Sequence, residues 1–160
     1  METPLEVIRL SKLYSKKEAV NNISFKVNQN EIIGILGPNG CGKTTTIAMI
    51  LGLLKPSNGK VLINGIEIEK KRVDLLNQLN FISPYIELPK KLTVKQNLEI
   101  YGRLYDIKNL KEKITFLSEK LRLTKIINKI TGELSSGQKN RVSLAKSVIN
   151  DPAVLLLDEP

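Results

Sequence analysis

Apolar and polar positions alternate along Leu5 to Leu10 and again along Ile23 to Val27, the two-residue period of strands that bury one face and leave the other wet. Ile32-Ile33-Gly34-Ile35-Leu36 is apolar throughout, which predicts a parallel strand buried on both faces. Pro56-Ser57-Asn58-Gly59 predicts a turn leading into a strand at Lys60 to Ile63, so the first section of the chain is expected to be β-rich. From Thr93 onward the period becomes helical. Thr93 to Tyr105, Leu110 to Leu121 and Ser136 to Ile149 each bring apolar residues back three and four positions apart, which predicts helices. A final apolar run, Ala153 to Leu157, predicts another buried strand.

Directly after Leu36 comes Gly37-Pro38-Asn39-Gly40-Cys41-Gly42-Lys43-Thr44, and Lys43 to Leu54 has the pattern of a helix. The order strand, G-x-x-x-x-G-K-T, helix has a physical meaning. The glycines permit positive φ and close backbone approach, while the loop N–H groups and the positive end of the helix converge on one point. Such a point takes an anion. Lys43 adds a charge for the β- and γ-phosphates, and the Thr44 hydroxyl is placed for Mg²⁺. The expected ligand is a nucleoside triphosphate with its metal, held along Gly37, Pro38, Asn39, Gly40, Cys41, Gly42, Lys43, Thr44 and Thr45. The alternative, a chance match on an ordinary loop, does not call for a strand before it and a helix after it.

The last apolar run delivers Asp158-Glu159-Pro160. A carboxylate at the end of a buried strand is the acidic partner that Mg²⁺ needs beside a phosphate cradle. Asp158 is expected to take that role, with Glu159 orienting and deprotonating the attacking water. The plain alternative for the acidic pair is a solvent-exposed turn.

Composition narrows the setting. A length of 160 residues suits one core, and no apolar run approaches a membrane span. Met1 to Leu10 has neither the basic nor the hydrophobic region of a leader, so a cytosolic location is expected. One cysteine excludes an internal disulfide, and the lack of histidine excludes imidazole chemistry in this sequence. The formal charge of +9 is concentrated between Pro84 and Ile130, where eleven Lys or Arg stand against five Asp or Glu. That excess fits a solvated helix face, a surface near anionic lipid, or a nucleic-acid contact. The few aromatics in this segment, Tyr85, Tyr101, Tyr105 and Phe116, do not form the interleaved pattern that stacks bases, and no nucleic acid is expected.

Leu134-Ser135-Ser136-Gly137-Gln138 precedes a basic amphipathic helix. With Gly37 to Thr44 and Leu155 to Pro160, in this order and spacing, it closely resembles the nucleotide-binding domain of ATP-binding cassette (ABC) transporters over the whole chain. The resemblance implies an α/β P-loop NTPase with a β-rich N-terminal section, a RecA-like core and a helical subdomain near residues 84–140. It implies an ATPase with ATP and Mg²⁺ as cofactors, Lys43 and Glu159 as catalytic residues, and Thr44 and Asp158 at the metal. Tyr14 matches the position of the aromatic ring laid against adenine; the alternative is a surface tyrosine at a strand end. Ser135, Ser136, Gly137 and Gln138 match the signature loop that caps the ATP of a second cassette in a head-to-tail dimer. The same pentapeptide is also a good helix N-cap. A transmembrane permease subunit, a peripheral place on the inner face of the cell membrane and an export-type role complete the implied picture.

Three features depart from the family pattern. Ser136 stands where the family form has glycine, and alignment on Leu92-Thr93-Val94 puts Pro84 where the family places a glutamine that touches Mg²⁺. Nothing is carried over to that role. The family's next elements, including a γ-phosphate-binding histidine, would follow Pro160, so the expectation is a piece of a longer cassette that folds poorly and turns over slowly alone. Two other classes stay open: a cassette protein acting on ribosomes or nucleic acid, and a nucleotide-binding fragment that does not hydrolyse.

Overall fold

The computed structural model describes residues 3–15, 17–83 and 88–158. They form two compact units, Met1–Leu79 and Asn80–Pro160. The first unit is built on an antiparallel sheet of order β2-β1-β3-β4, with β1 Leu5–Tyr14, β2 Lys17–Val27, β3 Asn58–Ile63 and β4 Ile66–Glu67. Leu5 faces Ile63 and Val7 faces Val61 across the β1–β3 ladder, and all four are buried. Strict alternation would next bury Arg9. Instead β1 carries an extra residue, between Val7 and Leu10 against β2 and between Ile8 and Ser11 against β3, and Arg9 takes φ 47°. The bulge returns Leu10 to the buried face and turns Arg9 to solvent, because a one-residue shift exchanges the faces of a strand. A compensating irregularity near Asn22, φ 47°, restores the pairing of Lys12 with Val20.

Helix α1, Lys43–Ile50, lies against β2 and buries Thr46, Ile47, Met49 and Ile50. It stops four residues short of the predicted end, because the N–H groups of Leu53 and Leu54 both turn back to the Ala48 carbonyl. A short helix α2, Arg72–Leu76, follows β4. The predicted strand at Ile32 to Leu36 does not form: Ile32 is 98% and Leu36 93% exposed, and no ladder includes them. A wholly apolar strand is stable only with neighbours on its edges and faces. None pairs with it among the described residues.

The second unit holds β5, Leu79–Ile82, paired with β6, Val154–Leu157, and three helices: α3 Val94–Leu104, α4 Leu110–Lys120 and α5 Ser136–Ser147. These helices fall where the periodicity predicts them. Thr93 and Ser135 each accept from the N–H three residues on, while Gln96 and Gln138 reach back to the cap N–H, two complete capping boxes. The core of this unit gathers Val94 and Leu98 from α3, Ile114 and Leu117 from α4, and Val142 and Ala145 from α5. Strand β6 is less buried than predicted. Val154 is covered while Leu157 is 46% exposed, since its one pairing partner among the described residues is β5.

Leu98 is fully buried in that core, whereas Phe116 on α4 is 52% exposed beside the Lys120 ammonium. Leu98→Ala is expected to cost about 2–5 kcal/mol through lost burial and a residual cavity, and Phe116→Ala roughly 0.5–1 kcal/mol. Urea unfolding of both variants measures the difference. Equal effects would contradict the placement of the core.

Candidate functional site

The glycine-rich loop enters α1 through Gly42, which has φ 96° and lies so close to β2 that a Cβ would strike the Ala19 carbonyl oxygen. Any other residue would be strained in the backbone and blocked in space. This contact fixes the helix start against the β1–β2 hairpin. As the cap residue Gly42 has no side chain to offer, and the first turn contains no acidic residue. The N–H groups of Lys43, Thr44 and Thr45 therefore begin the helix with no capping side chain and no acidic residue in their own turn, while Thr46 N–H already donates to Gly42 O at 2.8 Å. The positive end of α1 is left for an anion.

Lys43 folds back over the loop. Its Nζ donates to Gly37 O at 2.6 Å and to Pro38 O at 2.9 Å, and stands 4.0 Å from Cys41 Sγ. An ammonium has three N–H donors; two go to the loop carbonyls and the third faces the Cys41 sulfur in the longest and weakest of the three contacts. Cys41 N–H donates to Pro38 O at 3.3 Å and closes a turn over Asn39 and Gly40. Thr44 is exposed at the helix start and Thr45 is partly covered. Along Gly37 to Thr45, the predicted cradle residues thus converge on one backbone loop and one ammonium.

Tyr14 belongs to the same neighbourhood. It ends β1 opposite Lys17, two residues along β2 from the Ala19 that Gly42 touches, a separation of about 7 Å along a strand. Its ring is half exposed. Lys12 Nζ lies 5.3 Å from the ring centroid while donating to Lys55 O at 2.7 Å, an arrangement that holds one side of the ring under a cation. The sequence reading missed Lys12, and its signal was the two-residue spacing to Tyr14 on a shared strand face.

In the second unit Ser135 is the N-cap of α5. Its Oγ accepts from Gln138 N at 3.4 Å, and Ser135 N donates to Gln138 Oε1 at 3.0 Å. An accepting hydroxyl keeps its own proton, so capping leaves Ser135 able to donate outward. Ser136 and Gly137 are exposed on the first turn, and among the described residues nothing beyond its own turn of helix lies within 4 Å of where a Gly137 Cβ would stand. Gln138 is committed to the cap. Asp158 follows β6 and is tied by its N–H to Ile82 O at 2.9 Å, which fixes the backbone from which its carboxylate projects. Glu159, like Pro84, lies outside the described residues. Near the end of β5, Lys146 of α5 sits with Phe81, Ser83 and Tyr101 around a small cavity. Its ammonium is 4.8 Å from the Tyr101 ring centroid, and burial pushes its pKa down.

No group of three or more His, Cys, Asp or Glu gathers among the described residues.

The ABC transporter family profile matches residues 20–160. Among curated relatives, the probable multidrug ABC transporter ATP-binding protein YbhF of Escherichia coli (strain K12) is 37% identical over 161 residues, covering 99% of this chain and 28% of its own length. The Nod factor export ATP-binding protein I of Rhizobium johnstonii is 38% identical over 159 residues, covering 98% and 51%. The chain therefore spans about half the length of such relatives, or less. A solved ATP binding subunit of an ABC transporter superposes with TM-score 0.88 at 28% identity, over 99% of this chain and 67% of that one. So does cbiO1 from Clostridium perfringens, part of the ABC transporter complex cbiONQ, with TM-score 0.88 at 28% identity over 100% and 66%. These likenesses bear out the α/β P-loop fold class expected from the sequence.

Gly42→Ala is expected to lower stability by roughly 2 kcal/mol or more, from the left-handed backbone and the Ala19 carbonyl together. Gly34 has open space around its missing Cβ, so Gly34→Ala should stay within about 1 kcal/mol of the parent. Thermal unfolding of the pair is the check, and a Gly42→Ala protein as stable as the parent would remove the close approach.

Proposed function

The chain belongs to the ABC transporter family, and from that premise we propose that it is the ATP-binding, ATP-hydrolysing cassette of a transporter whose membrane path lies in a separate subunit. The observation that carries this reading is the Lys43 ammonium seated in the glycine loop by Gly37 and Pro38, at a helix start with no capping side chain and no acidic residue in its first turn. Such a seat suits the phosphates of a nucleotide, because backbone N–H groups, a helix dipole and a fixed cation all favour concentrated negative charge.

Each residue then has a part. Gly37, Pro38, Asn39, Gly40, Cys41 and Gly42 wrap the phosphates with backbone, Lys43 supplies the cation for the β- and γ-phosphates, and Thr44 and Thr45 stand at the first helical turn. Thr44 and Asp158 would hold Mg²⁺, which neutralises charge on the transferring phosphoryl group when bound. Tyr14 offers its ring to the adenine. Glu159 accepts a proton from the attacking water. Ser135, Ser136 and Gly137 face the nucleotide of a second cassette in a head-to-tail pair, with Gln138 holding the loop in shape. Residues 84–140 serve as the helical subdomain.

A permease partner is supported by the names of the relatives, an ATP-binding protein of a multidrug ABC transporter and one of Nod factor export, and by the solved neighbours, an ATP binding subunit of an ABC transporter and a part of the complex cbiONQ. We place the cassette on the cytoplasmic face of that partner. An outward direction of transport is supported by the export role in the name of the Nod factor relative.

Glu159→Gln in the complete protein tests hydrolysis apart from binding. The amide keeps the shape and loses the base, so ATP affinity should hold while turnover falls about 10²–10⁴-fold. Phosphate release and nucleotide titration read the two quantities. Turnover within a few-fold of the parent would take the water-activating role from Glu159.

A further inference from the structure

Asn97 of α3 is fully buried beside a core of mostly apolar side chains. Its Nδ2 has two N–H donors, shared among Pro89 O at 3.2 Å, Thr93 O at 3.1 Å and, the shortest, Thr131 Oγ1 at 2.9 Å, while its Oδ1 has no hydrogen-bond partner among the described residues. A buried acceptor without a partner detracts from stability. An apolar side chain would fill the same space without that penalty, so what the amide adds is direction.

The segments it joins are already stitched by backbone. Thr131 N–H donates to Leu92 O at 2.8 Å, Gly132 N–H to Lys90 O at 2.9 Å, Val94 N–H to Lys129 O at 3.0 Å and Lys95 N–H to Ile127 O at 2.8 Å. At Gly132 the approach is so close that a Cβ would lie 2.9 Å from Lys90 O. The chain then passes through one 3-10 turn, Thr131–Glu133, buries Leu134, and reaches the Ser135 cap. Thr131 itself is 2% exposed. Between the side chain that Asn97 holds and the exposed loop there are only three residues: Gly132 and Glu133 are exposed and Leu134 is buried, and each donates its N–H to a backbone carbonyl.

We propose that Asn97 is a positioning residue for Ser135, Ser136 and Gly137: through the Thr131 hydroxyl it sets the point from which that loop leaves the stitched pair and enters α5. The backbone bonds hold two segments to each other. The Asn97 amide refers both of them to α3, and so decides where the loop stands on the helical core. It touches neither nucleotide nor metal, and it rests on the reading of Leu134–Gln138 as the loop that meets the nucleotide of a second cassette.

The consequence is a split between binding and turnover. In the complete protein, assembled with its membrane subunit, Thr131→Val removes the hydroxyl and keeps the shape. Its affinity for ATP at the Lys43 cradle, measured with the hydrolysis-blocking Glu159→Gln change in both parent and variant, should stay within twofold, while kcat falls about tenfold, the scale of one hydrogen bond. Thr131→Ser restores the hydroxyl and should return kcat to within twofold of the parent. Asn97→Ala, if it folds, should match Thr131→Val, and the double variant should be no slower than either. If it does not fold, the Thr131 pair decides alone. The proposal is overturned by a Thr131→Val protein whose kcat stays within twofold of the parent. It is equally overturned if affinity and kcat fall together, or if Thr131→Ser fails to rescue. A parent without ATP turnover would instead overturn the proposed function, and this inference with it.

Discussion

The missing side chain at Gly42 is the constraint on which the cradle depends. Because nothing projects from that Cα, the start of α1 can press against the Ala19 carbonyl of β2, and the backbone can take the left-handed turn that delivers the loop to the helix. From this junction follow the uncapped first turn, the Lys43 side chain folded under Gly37 and Pro38, and the nearness of Tyr14 through the hairpin it shares with Ala19. A residue with a Cβ would break each of these at once. The sheet beneath is shaped to the same end: the bulge at Arg9 keeps Leu10 on the buried face, so β1 can run on to Tyr14 without turning its apolar side outward.

The second unit solves a different problem, that of presenting a polar loop from an apolar core. Helices α3, α4 and α5 bury one stripe each. Capping boxes at Thr93 and Ser135 satisfy the exposed ends, and the pair of segments around Leu92 and Thr131 is fastened by backbone bonds and by one buried amide. Polar groups inside such a core are worth their desolvation only when they fix a geometry. Asn97 fits that description, since one of its two polar ends is fully used and the other is not.

What could be read from the sequence was what is local. The three helices were legible because periodicity and caps lie within one segment, and the glycine loop entering a helix at Lys43 because its residues are contiguous. Ile32 to Leu36 was legible only in part: five apolar positions announce a need for burial but not the strand that would supply it. The bulges at Arg9 and Asn22 interrupt the alternation and so hid the true lengths of β1 and β2. Short elements such as α2 and β5 carry too few residues to show a period. Asn97 was invisible for a more basic reason, since its partner Thr131 is 34 residues away and the pairing exists only after α3 has packed.

The central claim is that a lysine seated in a glycine loop at an open helix end makes this chain a triphosphate-binding cassette. Calorimetric titration of the complete protein with Mg²⁺ and ATP, parent against Lys43→Ala, tests it most directly. The account predicts saturable binding by the parent and a loss of at least about a hundredfold in affinity in the variant, as expected when a fixed cation is taken from beside several phosphate charges. An unchanged dissociation constant in Lys43→Ala would contradict it.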